Sequence, residues 1–413
     1  MTAAHPEPHP GLGFRAFVTM VALIQAVVAL AIDMMVPALG QIAHAMHLGE
    51  GNARQWVITS FVLGFGAAQL LFGLAADRFG RRPILIASLA LYTLASLAAA
   101  AAPSFFWLIA ARLAEGIGAA GAKVLTTAVI RDCYAGRRMA RVNSLAFVVF
   151  LAAPIIAPSL GQAVLLIAPW PAIFIGLGLY GALITGWVAW RLPETQHEGD
   201  RRAVTLPEFH AALRLTLSNR MSLGYTLAGM LLLGAWLGFI NSAQQVFAEV
   251  FLVPKLFPAI FAACSVCMAA AALLNARLVE HLGMRRLAHA ALCGFIVMSS
   301  AQALVAVNGY DGLLTFALIQ AGMMFCFGLF SGNCGAISME PMGHIAGTAA
   351  SVQGFISMLG AAMIGSFIGQ HFNGTLVPLA IGFCICGIAG LAVVALTERG
   401  QLFGTQAVKL SEG

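Results

Sequence analysis

The sequence predicts an all-α membrane protein with twelve transmembrane helices, from its composition, the length of its apolar runs and the placement of its basic residues. Of the 413 residues, 60% are hydrophobic and 9% are charged, which excludes a soluble globular domain. A span needs about 20 apolar residues to cross the hydrocarbon core. Because that core offers no water to backbone groups, apolar runs of this length are predicted to be helices.

The apolar runs between charged or Pro/Gly-rich breaks divide into two sets of six. The first set is placed at 16–40, 55–75, 83–102, 105–129, 142–167 and 171–192. The second set is placed at 222–247, 257–278, 287–307, 312–336, 346–370 and 376–397. We therefore predict an N-terminal bundle over 16–192 and a C-terminal bundle over 222–397, joined by a cytoplasmic linker over 193–221, with tails at 1–15 and 398–413.

Lysines and arginines predict the orientation. With a cytoplasmic N-terminus, all but four of the 22 fall in cytoplasmic segments. Arg54 and Lys255 face the outside, while Arg112 and Lys123 lie within a span. This asymmetry predicts that both termini are cytoplasmic. The net charge of +6 therefore reports topology and does not indicate nucleic-acid binding.

The two halves carry a weak internal repeat in the loops after the second and eighth spans. A shift of 203 residues places Gly80 on Gly283 and Arg82 on Arg285. An acidic residue, Asp77, falls on another acidic residue in the second copy. The repeat favours two halves of similar architecture.

The loop between the second and third spans carries the most informative motif, G-x-x-x-D-R-x-G-R-R. Its residues are Gly73, Asp77, Arg78, Gly80, Arg81 and Arg82. The motif closely resembles the corresponding cytoplasmic loop of major facilitator superfamily transporters. That resemblance implies two pseudo-symmetric six-helix bundles around a central cavity.

The same resemblance implies a conformational switch at this loop. Asp77, Arg78 and Arg81 would form a cytoplasmic charge cluster with Arg131 and Asp132 at the end of span four. The cluster would latch one bundle to the start of span eleven in the outward-open state. A role in topology alone would explain Arg82 but not the acidic Asp77.

Three further stretches resemble drug:proton antiporters, in particular the Bcr/CflA drug-resistance transporters. Span one ends in Asp33-Met34-Met35-Val36-Pro37-Ala38-Leu39, similar to the D-x-x-x-P-A-L signature. Span four carries the run from Arg112 to Gly121, similar to R-x-x-x-G-x-G-A-A, and its small residues are predicted to serve helix packing.

Span five carries Pro154, Pro158 and Gly161 in an antiporter-like element. The helix is predicted to bend there, either as a pivot or only as a kink. Four residues depart from the family patterns: Glu115, Lys123, Ala157 and Gln162.

Four ionisable residues within spans are the candidates for proton coupling and substrate binding: Asp33, Arg112, Glu115 and Lys123. Such residues are costly in a bilayer and usually face a cavity. Helical spacing places Arg112, Glu115 and Lys123 along one stripe of span four. We predict that Asp33, and with it Glu115, carries the transported proton, which an approaching Arg112 releases. The alternative is that these charges only tie helices together.

The predicted substrate cavity adds a polar patch on span seven to these four charges. Asn241, Gln244 and Gln245 would face substrate or bond to one another. No metal site and no cofactor are expected, since the proton gradient supplies the energy. The expected partners are protons, a small-molecule substrate and the lipid bilayer, without nucleic acid, and we expect a monomer.

The leading functional prediction is proton-coupled efflux of drugs or antibiotics across the inner membrane by alternating access. Lys123 and Arg112, two positive charges in the predicted cavity, favour an alternative hypothesis, proton-coupled uptake of a small organic anion. A third is a membrane receptor that no longer transports, which the charged network argues against. An enzyme is disfavoured because the sequence shows no nucleophile and base pair, metal cluster or phosphate-binding loop.

Overall fold

The computed structural model describes residues 12–49, 51–196 and 206–404. Among these residues, twelve helices are long and apolar enough to cross a membrane. The predicted all-α membrane fold is therefore confirmed. The predicted tails lie mostly outside the described residues.

The N-terminal half holds the first six spans and one short helix. Its helices are α1 (Phe14–Asp33), α2 (Leu39–Ala45), α3 (Trp56–Phe79), α4 (Arg81–Ala100), α5 (Phe105–Cys133), α6 (Gly136–Ile167) and α7 (Pro171–Arg191). Helix α1 stops at Asp33, whereas the sequence predicted one span to residue 40. Pro37 lies in a 3₁₀ turn just beyond, because proline lacks the N–H that would continue the α-helix.

The C-terminal half holds six more spans after a linker helix, α8 (Leu206–Ser218). Its helices are α9 (Arg220–Gln245), α10 (Phe257–Leu282), α11 (Met284–Val307), α12 (Leu313–Met339), α13 (Ala346–Gln370) and α14 (Val377–Thr397). Helix α8 lies within the predicted linker and was not predicted. It packs against α13, with Ala212 and Thr216 buried one turn apart.

The two halves turn at equivalent glycines. Gly80 separates α3 from α4 with a φ of 95°, and Gly283 separates α10 from α11 with a φ of 80°. Only glycine adopts this backbone region without strain. The pair therefore matches the internal repeat, with one tight turn in each half.

The halves meet along two helix pairs, α3 with α13 and α6 with α10. Gly66 allows the close approach of α3, because a methyl group there would lie 2.9 Å from the backbone nitrogen of Leu359 on α13. Inside the N-terminal half, α5 packs between α3 and α4. A methyl group at Gly116 would collide with the backbone carbonyl of Phe61 on α3, so this small residue sets the distance between the two helices.

Candidate functional site

A cavity of about 470 Å³ lies between the two halves. It is lined by residues of α1 and α6 from one half and of α9, α10, α12 and α13 from the other. Its wall is mostly apolar and includes Trp236, Met268, Phe327 and Met358. The volume is in the range of pockets that hold drug-sized molecules.

Asp33 is the one charged side chain among the described residues of the cavity wall. It is the last residue of α1 and is only 2% exposed. Its Oδ1 atom has no hydrogen-bond partner in the described part of the chain. A buried acceptor without a partner is costly, so the position calls for a proton, water or a ligand.

The antiporter-like element on α6 holds the end of α1 in place. Pro154 lines the cavity, and Gly161 lies against the backbone of Met34, directly after Asp33. Helix α6 is continuous from Gly136 to Ile167 and contains both Pro154 and Pro158. The residues that resemble the antiporter pattern thus lie next to Asp33.

Arg112 and Glu115 form a buried ion pair on α5. Arg112 Nη1 lies 2.7 Å from Glu115 Oε2, and both side chains are 0% exposed. Glu115 Oε1 also accepts a hydrogen bond of 2.9 Å from Ser96 Oγ on α4. The guanidinium stacks over the ring of Phe61, 4.5 Å from its centroid.

Arg112 also connects α5 to the end of α1. Its Nη2 donates to the carbonyl oxygen of Ala31 at 3.1 Å, and its Nε donates to the carbonyl oxygen of Val57 at 2.8 Å. Among the described contacts, Arg112 reaches the backbone two residues before Asp33 and forms no ion pair with its carboxylate. The cluster predicted from sequence is therefore split: Asp33 faces the cavity, while Arg112 and Glu115 are enclosed between helices.

Lys123 lies farther along α5 and is half-buried. It is not among the described residues that line the cavity. The predicted stripe on α5 therefore does not reach the cavity wall in this conformation.

The polar patch predicted on span seven lies at the predicted outer end instead of in the cavity. Gln55 Nε2 donates to Gln245 Oε1 at 2.6 Å, and Gln245 Nε2 donates to Asn52 Oδ1 at 2.7 Å. Asn52 also donates to the carbonyl oxygen of Gln370 at 2.9 Å. These bonds join the two halves, and an ion pair between Arg54 and Glu249 adds to them.

We call these residues the outer seal: Asn52, Arg54, Gln55, Gln245, Glu249 and Gln370. Asn241 and Gln244 lie next to it. Asn241 is 2% exposed, and Gln244 contacts Gly40 on α2. Neither is among the described residues of the cavity wall.

A second cavity of about 310 Å³ lies on the predicted cytoplasmic side of the first. The two share Leu233, Phe327 and Ser331 in their walls. Along α9, the second cavity uses residues 225–233, the first uses 233–237 and the outer seal uses Gln245. The cavities thus adjoin along α9, and the outer seal lies beyond the far end of the first cavity.

Three of the five residues predicted for the cytoplasmic charge cluster, Asp77, Arg81 and Asp132, are joined by ion pairs. Arg81 Nη1 lies 2.7 Å from Asp77 Oδ1, and Arg81 Nε lies 3.3 Å from Asp132 Oδ2. Asp77 and Gly73 line a small gap together with Gly347 at the start of α13. Arg131 also lies close to this helix start, within 3.4 Å of a methyl group placed at Gly347.

The remaining motif residues bind within the N-terminal half. Arg82 Nη2 donates to the carbonyl oxygen of Ala189 at 2.7 Å, and the backbone N–H groups of Arg81 and Arg82 donate to the Glu194 carboxylate. Arg78 stacks over the ring of Phe79. A carboxylate at a helix N-terminus is favourable, and Glu194 takes this place at the start of α4.

Sequence reasoning missed the polar residues on the C-terminal wall of the cavity. Asn275 on α10 lines it and bonds to Asn333 on α12. Asparagine within an apolar span was an available signal. The sequence alone does not say which face of α10 looks into the cavity.

Two six-helix halves with a cavity between them are the architecture of secondary transporters. The sequence matches the Major Facilitator Superfamily over residues 21–369, and the chain belongs to that family. The predicted resemblance to its drug-resistance branch is confirmed by the relatives.

The chain is similar along most of its length to two bacterial resistance proteins. It is 28% identical to the bicyclomycin resistance protein homolog of Haemophilus influenzae, over 93% of this chain and 96% of that protein. It is 28% identical to the chloramphenicol resistance protein of Pseudomonas aeruginosa, over 85% of this chain and 82% of that protein.

The fold is also similar to solved transporters. The structure superposes on the xylose transporter XylE from E. coli, in a partially occluded inward open conformation, with a TM-score of 0.72 and 12% identity. The match covers 92% of this chain and 96% of that one. This similarity supports the major facilitator fold.

Proposed function

We propose that this chain is a proton-driven exporter of small amphipathic compounds, including antibiotics, in the bacterial inner membrane. Both termini lie in the cytoplasm, and the protein works as a monomer without a cofactor. The observation that carries the proposal is Asp33, a buried carboxylate with an unpartnered oxygen in the wall of an apolar cavity. The resistance-protein relatives support the choice of substrate class.

Protonation and drug binding compete in this mechanism. A drug that enters from the cytoplasmic side binds in the cavity while Asp33 is ionised. The halves then rock, the outer seal opens, and a proton from outside replaces the drug at Asp33. Return of the protonated form to the cytoplasm releases the proton and resets the cycle.

The cavity wall does not favour uptake of an organic anion. That alternative rested on Lys123 and Arg112 in the cavity, and the described wall carries an acid instead. A carboxylate in an apolar wall repels another anion.

Paired flux measurements test the export proposal. Purified protein is reconstituted into liposomes with an acidic interior, and proton efflux is recorded with a pH dye while chloramphenicol or a small carboxylic acid is supplied outside. Antiport predicts that chloramphenicol accumulates inside as protons leave. Movement of the acid and protons in the same direction, with no response to chloramphenicol, would contradict the proposal.

A further inference from the structure

The C-terminal wall of the cavity carries a pair of side-chain amides that have no role in proton exchange at Asp33. Asn275 on α10 lines the cavity and is half-buried. Asn333 on α12 lies behind it and is 2% exposed. Asn333 Nδ2 donates to Asn275 Oδ1 at 2.6 Å, whereas the return bond from Asn275 Nδ2 to Asn333 Oδ1 is long, at 3.4 Å.

The backbone of α12 fixes the orientation of both amides. Asn333 Nδ2 donates to the carbonyl oxygen of Leu329 at 2.8 Å. A carbonyl oxygen accepts hydrogen bonds and cannot donate, so Asn333 must keep its NH₂ group on that side. Its second N–H then points at Asn275, which must offer its oxygen in return. The NH₂ group of Asn275 is left as the group with spare donor capacity.

The cavity therefore has two poles of opposite hydrogen-bonding character. On the N-terminal wall, Asp33 Oδ1 is a buried acceptor without a partner. On the C-terminal wall, Asn275 offers an N–H donor beyond the weak bond to Asn333. Apolar side chains such as Trp236 and Phe327 line the space between them.

We propose that Asn275 is a substrate-contacting residue that selects compounds carrying a hydrogen-bond acceptor, such as an amide carbonyl. Asn333 acts as a positioning residue that keeps the Asn275 donor facing the cavity. The preferred substrate has an apolar, ring-containing body, an acceptor directed at Asn275 and a hydroxyl or amine donor directed at Asp33. This assignment rests on the proposed export function and adds the substrate chemistry of the same cavity.

A double-mutant cycle between protein and ligand tests the contact. The probes are chloramphenicol, the compound in the name of the Pseudomonas relative, and its deacylated amine, which keeps the ring and both hydroxyls but lacks the amide carbonyl. Equilibrium dialysis gives the Kd of each probe for the full-length protein and for Asn275→Leu. The ratio of the amine Kd to the chloramphenicol Kd is the quantity compared, so effects of the added amine charge on Asp33 cancel.

We expect this ratio to fall by about tenfold in Asn275→Leu, because one neutral hydrogen bond contributes to the binding of only one probe. The double variant Asn275→Leu/Asn333→Leu gives the same fall and leaves no orphaned amide at Asn333 if the single variant folds poorly. The control, Asn308→Leu, alters an exposed amide that bonds to Leu304 of its own helix and leaves the ratio unchanged.

Three results would overturn the assignment. An unchanged ratio in both Asn275 variants, with measurable binding, removes Asn275 from the site and leaves the export function standing. An equal fall in Asn308→Leu shows a general effect of losing an amide. Absence of binding of either probe to the wild-type protein, together with absent proton flux in liposomes, contradicts the proposed function itself.

Discussion

At the residue scale, the structure separates two kinds of buried charge that look alike in the sequence. Glu115 has an arginine on one carboxylate oxygen and a serine on the other, so its charge is compensated within the protein. Asp33 Oδ1 has no such partner in the described residues. A compensated pair serves helix association, whereas an uncompensated carboxylate in a cavity is suited to exchange a proton or a ligand.

Asp33→Asn should therefore uncouple transport from the proton gradient. With one-to-one exchange, a gradient of about one pH unit sustains a drug concentration ratio of about ten in wild-type liposomes. The variant cannot exchange a proton at this position, so its ratio should fall to about one. Counterflow of labelled against unlabelled drug should persist, because binding and rocking do not require the charge.

The matched control is Asp311→Asn, which changes an acid in the loop between α11 and α12. It should accumulate drug like the wild-type protein. Uphill accumulation by Asp33→Asn at the wild-type ratio would show that the coupling proton is carried elsewhere. Glu115 would then be the next candidate.

Substitution of the buried Arg112 and Glu115 pair should affect the stability of the protein. Glu115→Leu leaves the arginine buried and unpaired, which typically destabilises a protein by about 3–5 kcal/mol. The double variant Arg112→Leu/Glu115→Leu removes both charges, so it should unfold at a higher temperature than the single variant. Thermal unfolding in detergent, followed by tryptophan fluorescence, measures the difference.

Transport by the same double variant decides between the two roles predicted for the pair. If the pair only ties helices together, the folded double variant should still accumulate drug against its gradient. A folded double variant with counterflow but no accumulation would assign proton coupling to Glu115 and contradict the purely structural role.

At the element scale, close helix contacts depend on single glycines. Gly116→Ala places a methyl group against the Phe61 carbonyl and should lower the free energy of unfolding by about 1–3 kcal/mol, since backbone must move. Gly186→Ala in α7 is the control, because a methyl group there meets no atom within 4 Å. It should leave stability unchanged or raise it by about 0.5–1 kcal/mol. Equal unfolding temperatures for the two variants would contradict this packing.

Some of these elements could be predicted from sequence because their sequence pattern is compatible with only one kind of local structure. Gly80 and Gly283 marked equivalent turns, and long apolar runs marked spans. The linker helix α8 escaped prediction because its run is short and the two buried residues among its described side chains, Ala212 and Thr216, are small or polar. The early end of α1 depends on whether Pro37 starts a new turn or only kinks a span, which sequence does not decide.

The site was harder to predict than the fold. Helical spacing correctly placed Arg112 beside Glu115, but it could not tell a cavity wall from a helix contact. Asn275 and Gln245 are both polar residues in apolar spans. Their different roles follow from which helices of the other half lie opposite them, and that information is not local in sequence.

At the scale of the whole molecule, the cytoplasmic and outer ends carry different chemistry where the halves meet. The cytoplasmic end has the charge cluster of Asp77, Arg81 and Asp132 beside the start of α13. The outer seal consists mainly of neutral amides. Neutral hydrogen bonds are individually weak, so a few substitutions should be enough to change the balance between conformations.

Gln55→Leu combined with Gln245→Leu should populate an outward-open state. The pair removes three hydrogen bonds between the halves: the bond between the two glutamines, the bond from Gln245 to Asn52 and the bond from Gln55 to the carbonyl oxygen of Gly369. At about 1 kcal/mol each, their loss would change the ratio of open to closed molecules by more than about a hundredfold. Spin labels at positions 106 and 310, which are exposed at the outer ends of opposite halves, report the change by pulsed dipolar spectroscopy.

The wild-type protein should give one main label-to-label distance, and the double variant should add a longer one. Asn308→Leu, which removes an amide from the same end of the molecule without touching the seal, should keep the wild-type distribution. If the double variant is folded and its distance distribution equals that of the wild-type protein, the hydrogen bonds of the seal do not hold the halves together. The charge pair of Arg54 and Glu249 would then be the dominant outer contact, and Glu249→Gln in the double-variant background should produce the longer distance.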